Sequence, residues 1–192
     1  VPRDWSSDVC SSDLPCSAED AKGLLKTAIR DEDPVIFLEH KLLYAHKEEI
    51  PEGEYTIPLG QAKVKREGKD LTIISWSREV NFALEAAKTL EQEGIDVEVL
   101  DLRSLVPLDW DAIKASISKT HNAIIVSEEV KRGSFAGELS AQIGEELFDE
   151  LDAPVERVCG LNICSPFSPV LEDENFPHPA DIVAAVKRVL NK

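Results

Sequence analysis

Neither common glycine-rich phosphate fingerprint, G-x-G-x-x-G or G-x-x-x-x-G-K-[ST], occurs anywhere in the 192 residues. The sequence signature of the usual nucleotide cradles is therefore missing. Basic residues precede a predicted helix start only at Lys131-Arg132-Gly133-Ser134, and this short stretch reads as a solvated turn before it reads as an anion site. No apolar run approaches the ~20 residues of a membrane span, and no signal peptide is readable. Positive charge is scarce, with 21 Lys and Arg against 37 Asp and Glu for a formal net charge of -16. Such a surface repels phosphate backbones and anionic lipid, which argues against nucleic-acid and membrane-surface partners. Apart from Cys10, the cysteines are Cys16, Cys159 and Cys164. Their spacing suits no metal site and their odd number argues against a disulfide framework, so a reducing cytoplasm is the expected compartment.

Residues 1–14, VPRDWSSDVCSSDL, carry neither helical nor strand period. Asp4 to Leu14 resembles the translation of a short-read sequencing adapter; the alternative is a natural disordered terminus. The segment is expected to be disordered and is set apart from the fold. Ala21 to His40 then reads as a helix with an apolar face at Leu24, Leu25, Ala28 and Ile29, an acidic turn, and the apolar run Val35-Ile36-Phe37-Leu38. A strand apolar on both faces belongs inside a helix-covered parallel sheet, and its neighbours must come from elsewhere. The chain therefore reads as a fragment.

Lys41 to Pro58, polar and without sustained period, reads as a linker. Gln61 to Lys65 and Leu71 to Trp76 read as two strands of a hairpin around the turn Arg66 to Asp70. Ser77 is placed as the cap of a helix with the stripe Val80, Leu84, Ala87, Leu90, ended by Gly94. Strand Ile95 to Leu100, a helix capped by Asp109, strand Ala123 to Val126, a helix opened by Ser134, strand Val155 to Val158 and helix Asp181 to Leu190 complete the alternation. The fold class is α/β, a three-layer sandwich with a mainly parallel sheet and right-handed crossovers.

The block Glu98-Val-Leu-Asp-Leu-Arg-Ser-Leu-Val-Pro-Leu-Asp109 resembles the strand-to-helix turn of the C-terminal domain of transketolase-like enzymes. Its form is that of β subunits of thiamine-diphosphate-dependent 2-oxoacid dehydrogenases of the pyruvate, branched-chain or acetoin type. Asp20-Ala-Lys-Gly-Leu-Leu, Asp33-Pro-Val-Ile-Phe-Leu-Glu-His, Ile57-Pro-Leu-Gly-Gln-Ala and Leu151-Asp-Ala-Pro-Val-Glu-Arg-Val agree with it. The resemblance implies that residues 15–40 are the C-terminal remnant of a pyrimidine-binding domain, 41–58 a linker, and 59–192 a transketolase C-terminal-like domain. It further implies thiamine diphosphate and magnesium in a heterotetramer with an α subunit, a second β subunit and a lipoyl acyltransferase core. The family's catalytic and cofactor-binding residues fall upstream, so none is assigned here.

The same resemblance implies a structural potassium ion held by the carbonyls of Ala28 and Ile29 and by oxygens of Asp31 and Asp33. Asp33 stands where an asparagine is common, one ligand lies upstream, and the alternative is a solvated acidic loop. Glu128 and Glu129, at a strand's carboxyl end, fall by resemblance near the subunit interface. Arg103 is a candidate for pairing with a carboxylate across that interface, Phe135 and Phe167 are candidate anchors or core residues, and the resemblance makes Lys187, Arg188 and the Lys192 carboxylate candidate acyltransferase contacts, the alternative being a basic last turn that complements the helix dipole. Glu39 and His40 are adjacent on a strand, point to opposite faces, and so are not an acid–base pair. Tyr44 and His46 are candidates for an active-site entrance. His121 and His178 read as loop residues.

Two functions of different class remain. One is the assembling and cofactor-site-completing portion of a 2-oxoacid dehydrogenase β subunit, inactive alone; the other is a non-catalytic transketolase-type binding module. A nucleotide-binding receiver-like domain fits the alternation and lacks a phosphate loop.

Overall fold

The computed structural model describes residues 11–192. A five-stranded sheet has the order β3 (Lys63–Arg66), β5 (Val97–Asp101), β4 (Leu71–Ser75), β7 (Ala123–Val130) and β8 (Glu156–Gly160), parallel throughout except that β3 runs antiparallel to β5. The strands β4 and β5 are buried at every residue, because helices cover both faces. On one face α2 (Glu79–Gln92) and α6 (Pro179–Val189) bury Val80, Ala83, Ala87, Ile182 and Val186 against Leu71, Ile73 and Val99. On the other, α3 (Trp110–Thr120) and α4 (Phe135–Glu146) bury Ile113, Ile117, Leu139 and Ile143 against Ile74, Leu100 and Ile125. A short helix, α5 (Pro169–Asp173), follows β8. This is the three-layer α/β sandwich that the alternation implies.

The expected hairpin does not form. β3 pairs with β5, since β4 is already flanked by parallel neighbours on both edges. Gly68 makes the detour possible: a Cβ there would stand 2.1 Å from the Val97 carbonyl carbon, so only glycine lets the turn cross the end of β5. Ser77 is not a side-chain cap either. It adopts a left-handed conformation, φ 56°, and turns the chain into α2, whose first flanking residue is Arg78. Asp109 and Ser134 do cap α3 and α4, accepting the backbone N–H groups of Ala112 and Gly137 at 3.1 and 3.2 Å.

A second, three-stranded sheet joins β1 (Ser11–Asp13), β2 (Val35–Phe37) and β6 (Ser104–Val106) in the order β2-β1-β6. The expectation of disorder through residue 14 therefore fails at 11–14, while residues 1–10 lie outside the described ones. Main-chain pairing supplies the reason. β1 runs parallel to β2 and antiparallel to β6, and the Leu14 N–H donates to the Arg103 carbonyl at 2.7 Å. An extended segment of almost any composition can fill a one-strand gap in this way.

The helix α1 (Ala18–Arg30) buries Leu24, but Leu25 and Ile29 are exposed, as are Ile36 in β2 and Leu38 beyond it. The stretch 41–58 does not hang free, although apart from the 3-10 turn Lys41–Ala45 it has no regular structure. It wraps α1: Tyr55 Oη donates to the Glu19 carbonyl at 3.1 Å, Ile57 N–H to the Gly23 carbonyl at 3.2 Å, and Thr27 Oγ1 to the Ile57 carbonyl at 2.6 Å. Because β2 has one strand neighbour among the described residues and an exposed face, amide exchange in Val35–Phe37 is expected to be faster than in Leu71–Ser75, which lies between two strands. Equal protection of the two segments by exchange mass spectrometry would contradict that description.

Candidate functional site

The crevice lies where β4 and β7, adjacent and parallel, send their following helices to opposite faces of the sheet. Such a switch point leaves a gap outside the strands' carboxyl ends, the usual ligand position in open α/β sheets. Trp76, Ser77 and Glu79 follow β4, Ser127 to Glu129 belong to the last part of β7, and Leu38 to His40 cover the gap. Together with Leu14 they line an open pocket of about 220 Å³. A neighbouring cavity of about 200 Å³ is bounded by Cys16, Glu39, His40, Tyr44 and His46.

Glu79 opens α2 and keeps only 1% of its surface exposed, and among the described residues neither of its carboxyl oxygens has a hydrogen-bond partner. Burial pushes its pKa up from 4.5 to about 8, the negative charge of Glu128 adds to the rise, and Arg78 opposes it. Glu128 is the hub of the crevice. Its Oε2 lies 3.0 Å from His40 Nε2, and its Oε1 lies 3.0 Å from Arg78 Nη1 without hydrogen-bonding geometry. His40 Nδ1 accepts the Leu42 N–H at 3.2 Å, which leaves the ring proton on Nε2 to face Glu128. The Arg78 guanidinium lies over the Phe82 ring at 4.6 Å.

Behind this crevice a buried charge network joins α1 to the five-stranded sheet. Lys65 Nζ of β3 stands 2.5 Å from Asp20 Oδ2 and 3.6 Å from Asp101 Oδ2, and Arg103 Nη2 is 2.5 Å from Asp20 Oδ1. Ser17 Oγ donates to Asp20, the Cys16 thiol donates to Asp101 at 3.1 Å, and the Arg103 N–H donates to Asp101 Oδ1 at 3.0 Å. Cys16, Asp20 and Asp101 would by position suit a metal ion, but the positive charge beside them belongs to Lys65. Burial works to raise Asp20, and hydrogen bonds from Lys65 and Ser17 together with the charges of Lys65 and Arg103 outweigh it and hold the carboxyl below its ordinary value. Burial and Asp101 push the Cys16 thiol far up, so it is a donor and not a nucleophile.

Arg103, expected to reach across a subunit interface, spends its charge within the chain on Asp20. Its own positive φ of 58° bends the backbone at the end of β5 so that the side chain points back to α1. Glu128 and Glu129 are found together at the crevice, where Glu129 Oε2 accepts the Phe135 N–H at 2.9 Å. Phe135 is part of the core, edge-on to Trp76 with ring centroids 5.9 Å apart, whereas Phe167 is fully exposed. Arg188 pairs with Glu156, Lys187 with Glu93, and Lys192 ends the chain after α6 with its N–H on the Lys187 carbonyl. Tyr44 Oη donates to Glu39 at 2.8 Å, so Glu39 meets a tyrosine while His40 meets Glu128. His121 Nδ1 and His178 Nε2 donate to the backbone carbonyls of Glu150 and Asp173 at 2.9 and 2.8 Å. At the acidic turn, Asp31 N–H donates to the Thr27 and Ala28 carbonyls and Asp31 Oδ1 accepts the Asp33 N–H at 2.9 Å. With Ile29, Asp31 and Asp33 all exposed, these oxygens close an Asx turn and do not by themselves form a cation cage.

Lys65, Asp20, Asp101 and Glu79 were not singled out from the sequence. The available signal was acidic residues inside a central strand, since Asp101 ends the run Val97-Glu-Val-Leu-Asp, which also holds Glu98. Removing the central cation by Lys65→Met is expected to cost about 3–5 kcal/mol in urea unfolding, the usual cost of stranding a buried partner; a loss under about 1 kcal/mol would show that the network holds nothing. For Glu79, a folded pKa above the unfolded value means that the carboxyl's contribution is complete below pH 4.5 and lost as pH rises through about 8. Between those values stability should fall by up to about 1.4 kcal/mol per pH unit, and Glu79→Gln should remove that part of the slope.

The chain is 52% identical over 179 residues to the pyruvate dehydrogenase E1 component subunit beta of Porphyra purpurea, covering 93% of this chain and 54% of that protein. It is 49% identical over 179 residues to the acetoin:2,6-dichlorophenolindophenol oxidoreductase subunit beta of Bacillus subtilis, covering 93% and 52%. It thus spans about half the length of these relatives. Among solved structures, a split-gene transketolase described as an inactive beta4 tetramer superposes with a TM-score of 0.75 at 30% identity, over 95% of this chain and 57% of that one. A transketolase variant from Pichia stipitis shares the fold, with a TM-score of 0.60 at 16% identity over 95% of this chain and 25% of that one. Residues 60–182 match the family described as Transketolase, C-terminal domain, and the chain belongs to that family.

Proposed function

We propose that this chain is the C-terminal portion of the β subunit of a 2-oxoacid dehydrogenase. In the whole enzyme a 2-oxoacid is oxidatively decarboxylated with thiamine diphosphate and the acyl group passed to a lipoyl group. The portion described here serves assembly and completes the cofactor site. The observation that carries this reading is the Asp20–Lys65–Arg103 network, which fastens the helix and strand at 18–37 to the transketolase C-terminal domain. An element so fastened, with Leu25, Ile29, Ile36 and Leu38 exposed, suits the end of an upstream domain held in fixed orientation. The β-subunit relatives, about twice as long, support the same division.

Thiamine diphosphate and magnesium belong to the heterotetramer in this reading. Among the described residues the carboxyl ends of the strands carry carboxylates and no diphosphate cradle, so no catalytic step is assigned to this chain. The partners proposed are an α subunit, a second β subunit and a lipoyl acyltransferase core, in the cytoplasm. Potassium at Ala28, Ile29, Asp31 and Asp33 would require ligands from outside the chain.

The test is to extend the reading frame upstream of Pro15 in the source DNA, express the complete gene with its α subunit, and assay pyruvate, branched-chain 2-oxoacids and acetoin. Co-purification and thiamine-diphosphate-dependent turnover of one of these are expected, with no turnover by the 192-residue chain alone. A native start codon immediately upstream of Pro15, with no pyrimidine-binding domain, would favour the binding-module reading instead.

A further inference from the structure

Segment 38–46 lies across the open ends of β4 and β7 as a strap, and no residue in it is buried. The Leu38 N–H donates to the Asp13 carbonyl at 2.9 Å, whereas the N–H groups of Leu42, Leu43 and His46 donate to His40 Nδ1, the His40 carbonyl and the Leu43 carbonyl at 3.2, 2.9 and 2.9 Å. Among the described residues, the one side-chain link from the strap to the five-stranded sheet is His40 Nε2 to Glu128 Oε2, at 3.0 Å. Glu39 is turned to Tyr44 within the strap itself. The strap also partitions space, since Glu39 and His40 form a wall of both the pocket of about 220 Å³ and the cavity of about 200 Å³. A segment with so little burial and one such latch opens locally at a free energy well below that of global unfolding.

Behind the strap stands Glu79, with 1% of its surface exposed and no hydrogen-bond partner among the described residues. Leu38 to His40 share its pocket, so the strap is part of what keeps water from it. A carboxyl in that position is tolerated neutral and opposed as an anion, because burial without a partner leaves the charge uncompensated. The charged and titratable groups around it are Arg78 on its own helix, Glu128 and Glu129 on β7, and Glu39 and His40 on the strap. None of them is free to balance a second anion. Arg78 Nη1 already stands 3.0 Å from Glu128 Oε1, His40 faces the other Glu128 oxygen, and the remaining two are themselves carboxylates. An ionised Glu79 regains solvent when the strap lifts, so closure and ionisation oppose each other.

We propose that the strap 38–46 is a pH-gated lid, latched to Glu128 through His40 while Glu79 is neutral and released when Glu79 ionises, so that the two spaces it separates join. With the strap closed, burial and the charge of Glu128 hold the Glu79 pKa at about 8; with it lifted, the group returns toward its ordinary 4.5. Closure is therefore strongest below pH 4.5 and weakens as pH rises to about 8. Between those values the opening constant rises by up to about tenfold per pH unit. A neutral His40 still offers its Nε2 proton to Glu128, so loss of the histidine charge loosens the latch without undoing it. This inference rests on the strap and the crevice alone and does not depend on the dehydrogenase reading.

The test is amide hydrogen exchange of the 192-residue chain between pH 5 and pH 8, read by NMR at Leu42, Leu43 and His46 and corrected for the intrinsic rate at each pH. Protection at these amides is expected to fall as pH rises, by up to about tenfold per unit, while remaining below that of Leu71–Ser75 throughout. In Glu79→Gln, which copies the neutral carboxyl and should fold, the fall should vanish, leaving protection at pH 7 at least about tenfold above that of the unaltered chain. In Glu85→Gln, on an exposed part of the same helix, the fall should persist. His40→Ala should lower protection at Leu43 and His46 about fivefold at every pH, the worth of one net hydrogen bond, and leave Leu71–Ser75 unchanged. A flat profile in the unaltered chain, an equal slope in Glu79→Gln, undiminished protection in His40→Ala, or strap amides as protected as Leu71–Ser75 would each overturn the proposal.

Discussion

The arrangement of this molecule depends on one largely buried cation, Lys65 Nζ, placed between Asp20 and Asp101. Asp20 comes from α1, Lys65 from an edge strand and Asp101 from the end of a central one, so three parts of the chain meet at a single charge. A second cation, Arg103, takes the other oxygen of Asp20, with its Nε left unpartnered among the described residues, and the Cys16 thiol and Ser17 hydroxyl occupy further lone pairs on Asp101 and Asp20. Satisfaction of this kind matters more than the attraction itself, because desolvated charges stabilise only when their remaining valences are filled.

Much follows from that meeting point. With α1 anchored, the segment 38–46 is held across the open ends of β4 and β7, and 47–57 is laid along the outer side of the helix. The crevice exists because this cover closes what would otherwise be an open strand end. The strain of the left-handed residues Ser77 and Arg103 is paid at the same edge, where each re-aims the chain as it leaves a strand. The small sheet of β1, β2 and β6 adds main-chain bonds but little burial, since Ile36 remains half exposed.

How far the sequence was legible depended on the range of the interaction. Helical stripes such as Ile113 and Ile117, and caps such as Asp109 and Ser134, are local and were readable. The alternation of elements and the block Glu98 to Asp109 led to the right fold. Pairing of β3 was misread because sequence neighbours usually pair, and only the occupation of both edges of β4 forbids it here. Arg103 was read as a candidate for a carboxylate across an interface, and its pairing with Asp20 inside the chain was not foreseen: Asp20 lies 83 positions away, a distance no local pattern spans. Glu79 was invisible because a glutamate in a first helical turn is ordinary; its singularity lies in the loss of solvent once Leu38 to His40 cover it.

The central claim is that α1 and the five-stranded sheet behave as one unit through Asp20 and Lys65. A double-mutant cycle on unfolding free energy, using Asp20→Asn, Lys65→Met and the pair, tests it most directly. The account predicts a coupling energy above about 1 kcal/mol, within the range for contacting charges. Additivity of the two single changes to within about 0.3–0.5 kcal/mol would contradict it.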